Sequence, residues 1–243
     1  SDGSVRNIFG KGAVCGVSQK TMELYIHIPF CVKKCQYCDF LSFAADEATQ
    51  AAYVEALLRE IAYYGPHCSD YLVSTVYIGG GTPSWLTEEW MAQIMSAVRR
   101  SFRLASDAEI SIECNPGTVT DHKFAVYRNA GINRISIGLQ SAVDEELKIL
   151  GRIHTFDQFL KTYELARKNG FDNVNVDIMS SLPGQTAESF ARTLQQLLRL
   201  KPEHISAYSL IIEKGTSFYD LYKFDAVKQQ AGMQTVALPT EDE

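Results

Sequence analysis

The chain has 243 residues, 46% of them hydrophobic and 21% charged, a globular balance that excludes a disordered or collagen-like polymer. Its formal charge is -6 with no basic run, which excludes an electrostatic footprint for nucleic acid. No apolar stretch reaches the ~18–20 residues of a membrane span, and residues 1–20 carry no apolar secretory core.

Residues 1–21 read as an N-terminal extension. Beyond them, apolar β-branched runs alternate with segments of helical spacing. Residues 24–28 predict a strand and 47–64 a helix. Strand 73–78 and helix 88–101 follow, then strand 109–114 and helix 122–129. Strand 134–139 precedes helix 156–169, strand 174–178 precedes helix 187–200, and 204–211 is a sixth strand. Asn129-Ala130-Gly131 and Asn169-Gly170 read as helix stops, with glycine free to take positive φ. Residues 223–237 are polar and weakly patterned, and Thr240 and Glu243 then have capping-box spacing. Residues 223–243 therefore read as a linker into the start of a further C-terminal domain, the chain being a piece of a longer protein.

Six βα units in series predict a parallel sheet. Its strands alternate: Leu24, Ile26 and Ile28 against Tyr25 and His27; Ile110 and Ile112 against Ser111 and Glu113; Val174, Val176 and Ile178 against Asn175 and Asp177. A parallel sheet covered on both faces reads instead as continuous apolar runs. One polar face predicts a wide polar lumen, hence an α/β partial (β/α)6 barrel of TIM type rather than a doubly wound sheet.

The six cysteines are expected to be reduced thiols of a cytoplasmic protein. Three of them crowd into Cys31-Val-Lys-Lys-Cys35-Gln-Tyr-Cys38 directly after the first strand, a metal motif rather than a disulfide framework. Zinc would want a fourth ligand, for which His27 or Asp39 is available. A [4Fe–4S] cluster on three cysteines leaves one iron open. Cys114 shares the apolar parity and reads as core, whereas Cys15 and Cys68 lack metal spacing. Gly79-Gly80-Gly81-Thr82 lacks the lysine of a phosphate loop and suits close approach of backbone to a ligand. Glu113, Gln140 and Asp177 end successive strands at one barrel mouth. Arg152 is suited to a bidentate grip on a carboxylate. His154 reads as a surface residue, and Trp85 and Trp90 as packing.

The segment from Tyr25 through Pro29-Phe30-Cys31 to Cys38-Asp39-Phe40 resembles the cluster loop of radical S-adenosylmethionine (SAM) proteins. It is most similar to the coproporphyrinogen-oxidase-like branch, which holds HemN and HemW. The resemblance runs from about residue 22 to 222 and takes in Ile78 to Pro83, Glu113 to Gly117, Ser136 to Ser141, Leu150 to His154 and Leu182 to Thr186. It implies a radical SAM core barrel over 22–222, with Cys31, Cys35 and Cys38 holding a [4Fe–4S] cluster. Tyr25, Tyr37, Gly80, Gly81, Thr82, Glu113, Gln140, Arg152 and Asp177 would surround SAM, with Gly80 to Thr82 at its methionine moiety and Ile211 at its adenine. Electron transfer from the cluster would then cleave the sulfonium and release a 5′-deoxyadenosyl radical. No residue is assigned a catalytic role beyond binding these cofactors.

Asp39-Phe40 follows Cys38 as in the heme chaperones of the branch, where the dehydrogenases have Gly-Cys. The resemblance therefore implies a cytoplasmic chaperone that binds heme and passes it to an acceptor protein. A reductant protein such as flavodoxin or ferredoxin is a further implied partner. The alternative is oxygen-independent coproporphyrinogen III dehydrogenase, a radical SAM decarboxylase of porphyrin biosynthesis. Heme contacts are expected in a C-terminal region outside this sequence, so no heme ligand is assigned. Ser180-Ser181 stands where many relatives have glycine, so a serine is expected there at positive φ, at some cost.

Overall fold

The computed structural model describes residues 19–239. Cys15, Thr240, Glu243 and most of the 1–21 extension lie outside them. Six strands form one sheet in sequence order: β1 (Lys20–Ile28), β2 (Tyr71–Gly80), β3 (Leu104–Cys114), β4 (Arg134–Gln140), β5 (Val174–Ser180) and β6 (His204–Ser209). Every neighbouring pair is parallel. Between the strands run α1 (Glu47–His67), α2 (Glu88–Ser101), α3 (Asp121–Asn129), α4 (Asp144–Leu150), α5 (Phe156–Lys168) and α6 (Ala187–Leu200), with α7 (Ser217–Gln230) after β6. The sheet curls into a half-barrel, the partial (β/α)6 TIM-like architecture that the alternation predicts.

The two parities of the strands divide as expected. Ile28, Ile78, Ile112, Ile137 and Val176 are fully buried against Met91, Ile94, Phe124 and Phe159 of the helices. Each such side chain contributes ~1.5–3 kcal/mol through burial. The opposite parity is also buried in places, but there every group finds a partner. Asn175 Nδ2 donates to Ser136 Oγ and to Asp177 Oδ1, both at 2.8 Å, and Ser206 Oγ donates to Asn175 Oδ1 at 3.1 Å. At the N-terminal end of the lumen, Arg134 lies 2.8 Å from His204 Nδ1 and donates to Ser111 Oγ at 3.4 Å. A ladder of side-chain bonds thus takes the place of an apolar filling.

Several elements differ from the sequence expectation. β1, β2 and β3 begin four, two and five residues earlier (Lys20, Tyr71 and Leu104 against 24, 73 and 109). Register shifts at Met22/Glu23 and Val73/Thr75 break the alternation there, so the period of two fades before the strand does. β6 ends at Ser209 rather than 211, which leaves Ile211 beyond the sheet. Two helices were not expected. α4 has only seven residues, too few to show a period, although Asp144, Glu145 and Glu146 favour its N-terminus. α7 is capped by the Thr216 side chain and packs through Phe218 and Tyr222 against Leu150, Met179 and Leu182; its Leu221, Phe224 and Val227 are exposed. α1 continues past Tyr64 through Pro66 to His67.

The expected helix stops are present. After α5, Gly170 takes φ +77, and Phe171 N–H closes onto Ala166 O at 3.1 Å, the bond of a Schellman turn. A Cβ on Gly170 would meet nothing nearer than Arg128 Nε at 4.0 Å, so its cost is backbone strain alone. Gly170→Ala is expected to destabilise the fold by about 1 kcal/mol, with Gly170→Asn milder. Urea unfolding should show a lower midpoint at unchanged slope.

Candidate functional site

The site begins where β1 ends. Residues 29–46 leave the sheet as a long loop, and the backbone ties it down. Cys31 N–H donates to Phe43 O at 3.0 Å and Phe43 N–H to Pro29 O at 2.9 Å. Gln36 N–H donates to Leu150 O at 3.1 Å, and Phe218 N–H of α7 to Gln36 O at 3.0 Å. Phe30 is fully buried with its ring edge-on to Phe43, 5.6 Å between centroids. The three thiols, all partly buried, therefore sit on a fixed loop at the C-terminal end of the sheet.

The glycine segment after β2 lies directly alongside. Gly81 N–H donates to Ile28 O at 2.8 Å and Thr82 N–H to Phe30 O at 2.7 Å. Gly80 has φ +121, and a Cβ on Gly81 would come within 3.0 Å of Cys31 Sγ. The absence of side chains here lets the chain run against the cysteine loop.

A cavity of about 460 Å³ opens beside the loop, within the usual range for a ligand site. Cys31, Cys35, Cys38, Tyr37, Gly80, Gly81, Thr82, Glu113, Gln140, Arg152, Asp177 and Ile211 all line it. Tyr25 is the exception. Its ring stacks on Tyr77 at 6.2 Å, and its hydroxyl lies 3.0 Å from His27 Nδ1. It meets the cavity only through Tyr77.

The polar groups are individually held. Glu113 accepts from Tyr77 Oη at 2.9 Å and from Gly80 N–H at 3.0 Å. Burial raises its pKa, against the lowering effect of those two bonds. Asp177 accepts from Ser136 Oγ at 3.0 Å. Gln140 has φ +74, an uncommon conformation for a non-glycine residue, and its Oε1 accepts from Tyr208 Oη at 2.9 Å. Burial pushes the Tyr208 hydroxyl up to about 12 and raises Tyr37 further, so both are neutral donors at pH 7. Arg152 Nη2 donates to Asn115 Oδ1 at 2.7 Å and to Gly138 O at 2.6 Å. Its Nη1 donates to Cys35 Sγ at 3.8 Å, and its buried Nε has no partner. With both Nη2 protons engaged, the bidentate grip suggested by sequence is not free; the Nε–H, the second Nη1 proton and the charge remain.

Sequence reasoning missed Tyr77, Tyr208 and Asn115. The first two have lumen parity, and Asn115 belongs to the Glu113 to Gly117 motif, so the signals were present. His154 is a correction. It is buried, with Nε2 3.3 Å from Leu139 O, because the turn after α4 folds it inward behind Arg152. Cys114 is core as expected, its thiol pushed up to about 12 by burial. Ser181 has φ +60, as expected of a position that favours glycine.

The model of the Radical SAM superfamily matches residues 25–197. The chain belongs to the Radical SAM superfamily. Its similar radical SAM relatives include the heme chaperone HemW of Escherichia coli (strain K12), 44% identical over 198 residues, 81% of this chain and 52% of the relative. HemW of Bacillus subtilis (strain 168) is 37% identical over 198 residues, again 81% and 52%. "Radical S-adenosyl methionine domain-containing protein 1, mitochondrial" of Bos taurus is 37% identical over 196 residues, 81% of this chain and 44% of that protein. Among solved structures, coproporphyrinogen III oxidase (HemN) of Escherichia coli, described as a radical SAM enzyme, matches with TM-score 0.75 and 29% identity, covering 93% of this chain and 57% of that one. The chain spans about half the length of the curated relatives it matches.

The residues of this radical SAM core fit the cluster and SAM that the family name implies. Three thiols share one cavity wall, a glycine cradle leaves room beside Cys31, and Arg152, whose Nη1 donates to Cys35 Sγ, keeps an orphaned buried N–H at Nε. Among the described residues, no three Cys, His, Asp or Glu side chains are gathered closely enough for a single metal ion.

His154 gives the site's surroundings a pH signature. Burial, then the Arg152 charge, pushes its pKa down to about 3 from 6.5. Below pH 6.5 the unfolded chain takes up a proton that the folded chain refuses. Stability is therefore full above that pH and falls as pH drops toward 3, by about 1 kcal/mol per unit. Thermal unfolding of His154→Gln should show a flatter decline than wild type between pH 6.5 and 4. Parallel curves would show that the buried imidazole is not the source.

Proposed function

We propose that this chain is the cofactor-binding barrel of a heme chaperone of the HemW kind, which binds heme and passes it to an acceptor protein in the cytoplasm. The observation that carries the reading is the convergence of three cysteines and the strand-end groups Glu113, Gln140 and Asp177 on one cavity. Asp39-Phe40 after Cys38 and the relatives named HemW support the chaperone over the dehydrogenase. Among the described residues no helix is long and apolar enough to cross a membrane.

In this reading Cys31, Cys35 and Cys38 hold a [4Fe–4S] cluster. When bound, the cluster supplies single electrons and an open iron for the amino and carboxylate groups of SAM. Gly80, Gly81 and Thr82 then line the methionine moiety, and the Glu113 carboxylate accepts from the amino group. The charge of Arg152, with the second proton of its Nη1, suits a carboxylate. Asp177 suits ribose hydroxyls, Gln140 and Tyr37 bound the cavity, and Ile211 gives the adenine an apolar surface. Tyr25 acts by backing Tyr77, which orients Glu113. A reductant protein such as flavodoxin or ferredoxin would deliver electrons. Heme is cargo, and its contacts are assigned to no residue of this chain.

The test is electron paramagnetic resonance of the anaerobically reconstituted, dithionite-reduced protein. A reduced-cluster signal that shifts on adding SAM is expected, with Cys35→Ala losing the signal. Glu113→Gln should retain the cluster but need at least tenfold more SAM for the same shift, since the amino group loses a charged hydrogen-bond acceptor (~1.4 kcal/mol or more). A chain that takes up zinc and no iron would overturn the reading. HemN supports the second reading, an oxygen-independent coproporphyrinogen dehydrogenase. That reading requires 5′-deoxyadenosine released in step with decarboxylated porphyrinogen, whereas the chaperone reading requires heme transfer without it.

A further inference from the structure

Asn115 lines the cavity without a hydrogen bond to its cysteines or strand-end carboxylates, yet it joins two side chains that bond to the thiols. Its Nδ2 donates to Thr82 Oγ1 at 2.9 Å, and its Oδ1 accepts from Arg152 Nη2 at 2.7 Å. Thr82 Oγ1 donates to Cys31 Sγ at 3.5 Å, and Arg152 Nη1 to Cys35 Sγ at 3.8 Å. One unbroken arc therefore runs Cys31–Thr82–Asn115–Arg152–Cys35.

We propose that Asn115 is a positioning residue that sets the reduction potential of the cluster by aiming one donor at Cys31 and another at Cys35. The proposal rests on the reading that these cysteines hold a [4Fe–4S] cluster. The direction of the arc follows from the chemistry of its members. A guanidinium only donates, so the Asn115 atom that meets Arg152 is its carbonyl oxygen. The amide nitrogen then faces Thr82 and only donates. Thr82 has a single hydroxyl proton, and with its oxygen accepting from Asn115 that proton is directed at Cys31 Sγ. The asymmetry of one amide thus sends an O–H to one sulfur and keeps an N–H on the other.

Donors to cluster sulfurs stabilise the reduced, more negative state and raise its potential. Aspartate at position 115 is nearly the same shape but accepts on both sides. It would keep Arg152 and take the Thr82 proton away from Cys31.

The measurement is a redox titration of the reconstituted chain without SAM, followed by the reduced-cluster signal. Asn115→Asp is expected to move the midpoint negative by at least the ~59 mV of a tenfold change in a one-electron ratio. Thr82→Val, which removes the donor without adding charge, should move it in the same direction, while Thr82→Ser retains the wild-type value. In a Thr82→Val background, Asn115→Asp should add less than it does alone, because only the charge effect remains. Equal midpoints for wild type, Asn115→Asp and Thr82→Val at equal iron content would overturn the proposal and leave the cofactor reading intact. A wild-type chain that forms no cluster would overturn that reading, and this proposal with it.

Discussion

Side chains alternate between the two faces of a strand, and in this sheet that period of two sorts chemistry as well as polarity. Six parallel strands placed in register put Glu113, Ser136 and Asn175 in one row and Gly138, Asp177 and Ser206 in another. Shifting one strand by a single residue would send its isoleucines into the lumen and its carboxylate into the helix layer. The apolar parity fixes the register, because Ile28, Ile78, Ile112 and Val176 have no other place to be buried. The functional parity inherits that register. Core packing and site geometry are two faces of the same constraint.

The lumen meets the cost of burying polar groups by pairing them within the sheet. Tyr77 serves Glu113, Ser136 and Asn175 serve Asp177, and Tyr208 serves Gln140. All of these but Asn175–Asp177, which lies within β5, span neighbouring or nearly neighbouring strands, so those bonds also brace the curl. Such a network holds its acceptors in place before any ligand arrives, which favours binding by reducing what must be ordered afterwards. The exceptions are local. Arg152 Nε is left without a partner, and Gln140 is held at positive φ. Both lie on the cavity, where strain and unpaired groups tend to collect.

Much of this was legible in the sequence. The three cysteines, the Gly80 to Thr82 segment and the polar strand ends are short-range patterns, and each position carries its own signal. The curl of the sheet brings twelve of the thirteen expected site residues to one cavity. Tyr25 shows the limit of pattern reading: parity gives its face, but not that Tyr77 stands between it and the cavity. His154 shows another. Its burial depends on how the turn after α4 folds back onto Leu139, a tertiary fact with no local marker. α4 was too short for a period to appear, and α7 has apolar residues that do not gather on a buried face. Helices of that kind are set by their caps and surroundings rather than by an apolar stripe.

The strand order has a consequence for how the molecule comes into being. Each strand pairs only with the one before it and the one after it in the chain. No pairing within the sheet skips a strand, so each loop closure spans a single crossover, which keeps the sequence separation as low as a parallel sheet of this order allows. As the polypeptide emerges during synthesis, each βα unit can dock on the exposed edge left by the last. The first edge to be built carries the cysteine loop, and the glycine cradle arrives with the second strand.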